Sequence, residues 1–197
     1  MFGLDAKSGV EVPETSPHWA TSDAVRAAMG QTDQQFTVTQ LARYVSTIAN
    51  GGTCYDLTLV DKISDSTGSV LEEQEPTVRN TVDLPDSVWN SVKTGMRGVV
   101  QNHTAFENFN QVAVAGKTGT TQERTDVANH GTFIGFAPYD QSEPDIAITV
   151  RIANGYTSAN AALVARDVIA YYYGLEDKDT LITGHASTPV SNYERTD

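Results

Sequence analysis

Three strand-like runs in the second half of the chain lie so close together that only antiparallel pairing suits them. The first is Val112-Ala113-Val114-Ala115-Gly116-Lys117-Thr118-Gly119-Thr120-Thr121, which opens apolar and β-branched and then turns polar without a helix signal. The second, His130-Gly131-Thr132-Phe133-Ile134-Gly135-Phe136-Ala137-Pro138, is stopped by its proline. The third, Asp145-Ile146-Ala147-Ile148-Thr149-Val150-Arg151-Ile152, alternates over most of its length. Parallel strands need a long crossover, whereas these connections are short and polar, so an antiparallel meander is expected. Residues 159–173 then read as a helix ended by Gly174, with Leu163, Val164, Val168 and Tyr171 available to cover one sheet face.

Upstream, Thr37-Val38-Thr39-Gln40 is a capping box. Leu41, Tyr44, Val45 and Ile48 follow at helical spacing, and Asn50-Gly51-Gly52 ends that helix. Residues 57–82 read as a hairpin that turns at Asp65-Ser66-Thr67-Gly68. A second helix starts after Pro85-Asp86, with Val88, Val92, Met96 and Val99 on one stripe and Trp89 beside it. Gly95 and Gly98 weaken it by about 1 kcal/mol each relative to Ala, and suggest close packing against a neighbour. Residues 1–17 look like turns and a short extended piece, and residues 176–197 like a loosely ordered polar tail.

The chemistry concentrates in Lys117-Thr118-Gly119-Thr120. On a strand Thr118 and Thr120 share one face, because side chains alternate. Gly119 between them leaves room for another chain to approach the backbone. Such a strand can grip a carboxylate and offer a backbone N–H to a developing oxyanion. The formal charge of −12 over 197 residues excludes a nucleic-acid partner and disfavours adhesion to an anionic membrane. Cys54 is the single cysteine, so no intrachain disulfide forms, and its thiol reads as incidental. His18, His103, His130 and His185 are scattered without metal-ligand spacing, so neither a metal nor another cofactor is expected. No apolar run approaches the roughly 18 residues of a membrane span. Gly116-Lys117-Thr118 ends like a phosphate-binding loop, but Gln111 stands where its first glycine belongs. Asn102-His103-Thr104 is a formal glycosylation sequon, read as coincidence. Tyr171-Tyr172-Tyr173 reads as helix packing with one exposed ring, and Trp19 as a residue of a polar loop.

Several blocks together resemble class B penicillin-binding proteins, in that family's order. They are Phe2-Gly3-Leu4, Gly30-Gln31, Phe36-Thr37-Val38-Thr39-Gln40-Leu41-Ala42 and Ile48-Ala49-Asn50-Gly51-Gly52. They continue with Gly95-Met96-Arg97-Gly98-Val99-Val100, Thr104-Ala105, Ala115-Gly116-Lys117-Thr118-Gly119-Thr120, His130 and Phe133-Ile134-Gly135-Phe136-Ala137-Pro138. The resemblance implies an α+β fold, an antiparallel sheet flanked by helices like that of the serine β-lactamases. It implies a D,D-transpeptidase in which a serine attacks the D-Ala-D-Ala carbonyl of a peptidoglycan stem peptide and a second stem peptide's amine resolves the acyl-enzyme. β-Lactams acylate the same serine. By the same resemblance Lys117 lines the cleft, Thr118 and Thr120 hold the substrate carboxylate, and the Thr120 N–H is an oxyanion donor. It also implies work on the outer face of a bacterial cell membrane, with the anchor outside this sequence.

The departures are specific. The family's nucleophile sits in Ser-x-x-Lys, and no such tetrapeptide occurs here. Its Ser-x-Asn motif precedes the Lys-Thr-Gly strand, whereas Ser158-Ala159-Asn160 follows it and reads as a helix N-cap. Val38 stands where the family often has Pro, His103 where it often has Gly, and Thr132 where it often has Trp. Residues 1–174 are therefore expected to be the C-terminal part of a transpeptidase domain, with 175–197 as a tail. The missing N-terminal half of that domain would be a partner, and the isolated chain would either self-associate or fold with low cooperativity, and take no penicillin adduct. The alternative is a non-catalytic β-lactam sensor or cell-wall docking module.

Overall fold

The computed structural model describes residues 2–30, 32–122, 125–141 and 143–182. The expectation for residues 183–197, His185 included, lies outside the described residues, as does Gln31. Contacts divide the chain into two units, Met1–Asp86 and Ser87–Asp197, so the span read as one partial domain holds two contact clusters.

The first unit contains α1 (Ala24–Ala28), α2 (Val38–Ala49), β1 (Thr53–Asp56), β2 (Lys62–Ser64), β3 (Val70–Glu73) and β4 (Thr77–Thr81). The capping box forms as the sequence requires. The Thr37 hydroxyl accepts the Gln40 N–H at 3.1 Å and the Gln40 side chain accepts the Thr37 N–H at 3.0 Å. The buried side of α2 differs from the expected stripe. Val45 and Ile48 are buried and Leu41 and Tyr44 only half-buried, while Gln40, Arg43 and Thr47 are fully buried. The reason is backbone hydrogen bonding. The Arg43 guanidinium donates to the carbonyls of Gly3, Ala6 and Ser8 and to the Asp56 carboxylate. Gln40 donates to the Thr15 carbonyl. The Glu14 carboxylate accepts from the Ser8 N–H and from the Ser8, Thr37 and Thr39 hydroxyls. Residues 1–17, turns by pattern, are thus tied to α2 by polar side chains.

Cys54 belongs to this interior and is fully buried, so it is a small core residue in β1 rather than an incidental thiol. The β2–β3 hairpin forms where expected, and Asp65 accepts the N–H groups of Thr67 and Ser69 in its turn. The outer pair, β1 with β4, escaped the reading of residues 57–82 as one hairpin, because β1 lies upstream of it.

The second unit contains α3 (Asp86–Gln101), a 3₁₀ turn at Thr104–Phe106, β5 (Ala115–Thr121), β6 (His130–Ala137), β7 (Ile146–Ile152), α4 (Ser158–Tyr172) and α5 (Lys178–Leu181). The sheet is the expected antiparallel meander in the order β5-β6-β7. β5 starts three residues later than the apolar run, and the Ala113 carbonyl accepts the Tyr139 N–H instead. α5 is a short helix within the segment expected to be a tail.

α4 covers one sheet face with Ala161, Ala162, Ala165 and Ile169, which pack with Phe133, Ala137, Ile148, Phe106 and Val114. Leu163, Val164, Val168 and Tyr171, expected to cover the sheet, are exposed. Small side chains win this face because the helix backbone comes very close. A Cβ built on Gly131 would lie 2.4 Å from the Thr157 carbonyl oxygen. Tyr171 and Tyr172 are both exposed, so two rings rather than one face outward. The N-cap of α4 is Thr157, and Ser158-Ala159-Asn160 begins inside the helix. On α3 the buried row is Trp89, Met96 and Val100, while Val88 and Val92 are exposed. Lys93 falls in that buried row by spacing. Its ammonium sits 5.8 Å from the Phe136 ring centroid, and burial lowers its pKa. Nothing lies within 4 Å of a Cβ built on Gly95 or Gly98, so the close packing expected there is absent among the described residues.

Candidate active-site strand

β5 forms one edge of the sheet, because β6 pairs with it on one side only and β6 is central. Thr118 stands in register with Phe133, and Thr120 with Gly131. Directly opposed residues share a face, so both hydroxyls lie on the side that α4 covers. The Thr120 hydroxyl accepts the Ser158 N–H at 3.3 Å, one of the donors the first turn of α4 leaves without an intrahelical acceptor. Lys117, in register with Ile134, is on the other face and exposed.

The orientation of the backbone follows from two observations. A Cβ built on Gly116 would lie 2.8 Å from the Ile134 oxygen, and one on Gly135 would lie 2.7 Å from the Ala115 oxygen. The carbonyls flanking the Gly116–Gly135 pair therefore point into the ladder, and the pairs that exchange hydrogen bonds are the odd-numbered residues of β5. Thr118 and Thr120 then direct their main-chain groups to the outer edge. Lys117 agrees with this. Its Nζ turns round its own strand and donates to the Thr118 carbonyl at 2.7 Å. The Lys117 ammonium and the outward main-chain groups of Thr118 and Thr120 thus share one edge of β5.

The described neighbours do not use the space at Gly119. A Cβ there would meet only the Thr132 Cβ, at 3.9 Å. The close approaches are at Gly116, Gly131 and Gly135 instead. His130, one of the residues that carry the family resemblance, stands in register with Thr121, and its Nδ1 accepts the Asn154 N–H at 2.9 Å. That acceptor role puts the neutral ring's proton on Nε2. Asn154 and Tyr156 in the same β7–α4 connection take left-handed φ values of 53° and 65°. Such strained positions cluster near sites. His103, a departure from the family pattern, caps the 3₁₀ turn by accepting the Ala105 N–H at 3.1 Å. Among the described residues no three His, Cys, Asp or Glu side chains come together as metal ligands.

An α4-covered antiparallel meander with a Lys-Thr-Gly-Thr edge strand is an α+β arrangement. The chain belongs to the penicillin-binding protein transpeptidase domain family, whose family model matches residues 1–170. It is 32% identical to penicillin-binding protein 2A of Bacillus subtilis (strain 168), over 90% of this chain and 28% of that protein. It is 28% identical to the peptidoglycan D,D-transpeptidase MrdA of Haemophilus influenzae, over 87% of this chain and 31% of that protein. The solved structure of penicillin-binding protein 2B from Streptococcus pneumoniae (strain R6) matches with a TM-score of 0.74 and 28% identity, covering 89% of this chain and 31% of that one. A mycobacterial penicillin-binding protein A, solved as an imipenem acyl-enzyme, shares the fold with a TM-score of 0.74. The chain spans under a third of the length of the curated relatives named here.

Proposed function

We propose that this chain forms part of a peptidoglycan D,D-transpeptidase and supplies its substrate-binding strand. The observation that carries the reading is the outward-facing edge of β5, where Lys117 Nζ and the Thr118 carbonyl meet. In this reading the stem peptide lies along that edge as an added strand. Lys117 lines the cleft, and Thr118 and Thr120 receive the terminal carboxylate, aided by the N-terminal dipole of α4. The Thr120 N–H stabilises the oxyanion as a serine Oγ adds to the D-Ala-D-Ala carbonyl. The terminal D-Ala leaves as the amine, taking a proton, and the amine of a second stem peptide then displaces the serine. That serine comes from residues outside this sequence, since no Ser-x-x-Lys occurs in it.

β-Lactams would acylate the same serine, and the work would take place outside the cytoplasm, where peptidoglycan is cross-linked. No described helix is long and apolar enough to cross a membrane. The test uses the polypeptide that carries this chain in full. Covalent labelling by a fluorescent penicillin together with turnover of a stem peptide supports the transpeptidase; labelling without turnover points to a sensor. Absence of both overturns the proposal.

A further inference from the structure

The connection from β7 to α4 is tied to three consecutive residues that open β6. The Asn154 N–H donates to His130 Nδ1 at 2.9 Å, and the Tyr156 N–H donates to the Asn129 carbonyl at 3.0 Å. The Thr157 carbonyl then rests against Gly131, where a Cβ would come within 2.4 Å of its oxygen. Gly131 stands in register with Thr120 across the β5–β6 ladder. A glycine there lets the first turn of α4 descend onto the strand that carries Thr120. Asn154 and Tyr156 hold left-handed backbone conformations along this path, and such conformations persist only where the surroundings over-determine them. The result is one contact between helix and strand: the Ser158 N–H donates to the Thr120 hydroxyl oxygen at 3.3 Å.

We propose that the Ser158 N–H is a positioning group for carboxylate recognition, an assignment that rests on the transpeptidase reading of β5. A threonine hydroxyl carries one proton and two lone pairs, and it rotates to suit its neighbours. When its oxygen accepts from Ser158, its proton is turned away from the helix. Thr120 then meets a carboxylate as a donor. An ionised carboxylate can only accept, so a hydroxyl turned the other way would present a lone pair to the group it is meant to hold. At 3.3 Å the Ser158–Thr120 bond is longer than the usual N–H···O range. Its contribution to stability is therefore small, and its effect is directional. Gly131 acts with it, because only a residue without a side chain admits the turn that brings Ser158 to Thr120.

Ser158 is the first residue of α4, and its N–H is one of the four that have no intrahelical acceptor. It can therefore be removed without opening the helix. The experiment does so in the full-length polypeptide by installing the α-hydroxy acid analogue of serine at position 158, which puts an ester oxygen where the N–H was. Second-order acylation is read for a β-lactam bearing its carboxylate and for the methyl ester of the same compound. The ratio of the two rates is independent of the fraction folded, so a merely structural loss does not move it. The ratio should fall roughly three- to tenfold, the worth of one hydrogen bond. Gly131→Ala, whose methyl pushes the Thr157 carbonyl away, should lower it in the same direction and carries the test by itself if the ester protein does not fold. In a Thr120→Val background neither change should lower the ratio further. An unchanged ratio in either variant, or a further fall in the Thr120→Val background, overturns the proposal. Penicillin labelling of the unsubstituted protein reports on the transpeptidase reading separately. A protein that labels, and whose ratio falls in Thr120→Val but not on removal of the Ser158 N–H, retains the β5 assignment and loses this one.

Discussion

The two units build their interiors by opposite chemistry. In Met1–Asp86 the most buried helix positions include Gln40, Arg43 and Thr47, and the interior is organised by a guanidinium that gathers three carbonyls and a carboxylate. In Ser87–Asp197 the core cluster is apolar throughout, with four small or branched α4 residues against an aromatic and aliphatic sheet face. The first arrangement orders a segment without regular secondary structure, since backbone carbonyls lacking ladder partners still need donors. The second brings a helix close enough to β5 for its first turn to meet the Thr120 hydroxyl. A polar hub specifies a loop path, and a shallow alanine face specifies a helix-to-sheet distance.

The largest effect should come from removing the hub. Arg43→Ala takes the guanidinium from the carbonyls of Gly3 and Ala6, while the Ser8 carbonyl keeps the Leu57 N–H and Asp56 keeps Arg79. Each buried acceptor stranded in this way costs about 1–3 kcal/mol. Hydrogen exchange should rise in residues 2–15 while the β6 amides stay protected. Equal loss in both regions would erase the distinction between the units. Next in size is Ala165→Leu on the fully buried face of α4. Overpacking there should cost about 1–3 kcal/mol in a chemical melt. Val164→Ser, one residue along and exposed, should stay within about 0.5 kcal/mol.

How far these contrasts can be read from sequence depends on the kind of residue. Capping at Thr37 and the three-strand meander are legible, because side-chain spacing and proline stops act locally. The α4 face is not. Leu163, Val164 and Val168 are the more hydrophobic choice, and only the close approach recorded at Gly131 selects the alanines. Arg43 is invisible to any apolar period, since its partners are backbone atoms some 40 residues away in sequence. At the site, the facing of Thr118 and Thr120 follows from alternation alone. The outward direction of the Thr120 N–H needed the register with β6.

Two smaller tests sharpen the polar side of the comparison. Thr37→Ala removes the cap of α2 and should cost about 0.5–2 kcal/mol, a loss confined to the first unit. The acid sensitivity should be confined there too. Burial of Glu14 opposes ionisation, but the hydroxyls of Thr37 and Thr39 and the donors of Ser8 outweigh it and hold its pKa below the usual 4.5. A folded pKa below the unfolded one stabilises above the unfolded value and loses that support as pH falls through the folded value. Protection of residues 8–15 should therefore fall as pH drops below 4.5. Glu14→Gln should remove that dependence; an unchanged profile in the variant would assign it elsewhere.

The central claim is that the edge of β5 acts on substrate rather than on folding. Its most direct measurement is second-order acylation of the full-length polypeptide by a β-lactam, alongside its melting temperature, for Thr118→Val and Lys117→Ala. In the proposed function Thr118→Val removes a hydroxyl that receives the substrate carboxylate and Lys117→Ala removes the cleft's positive charge, and a lost charge-assisted contact costs about 1.5–3 kcal/mol. Acylation should slow roughly ten- to hundredfold at tenfold per 1.36 kcal/mol, with the melting temperature unchanged. Wild-type acylation in both variants would make the strand scaffold only and contradict the account.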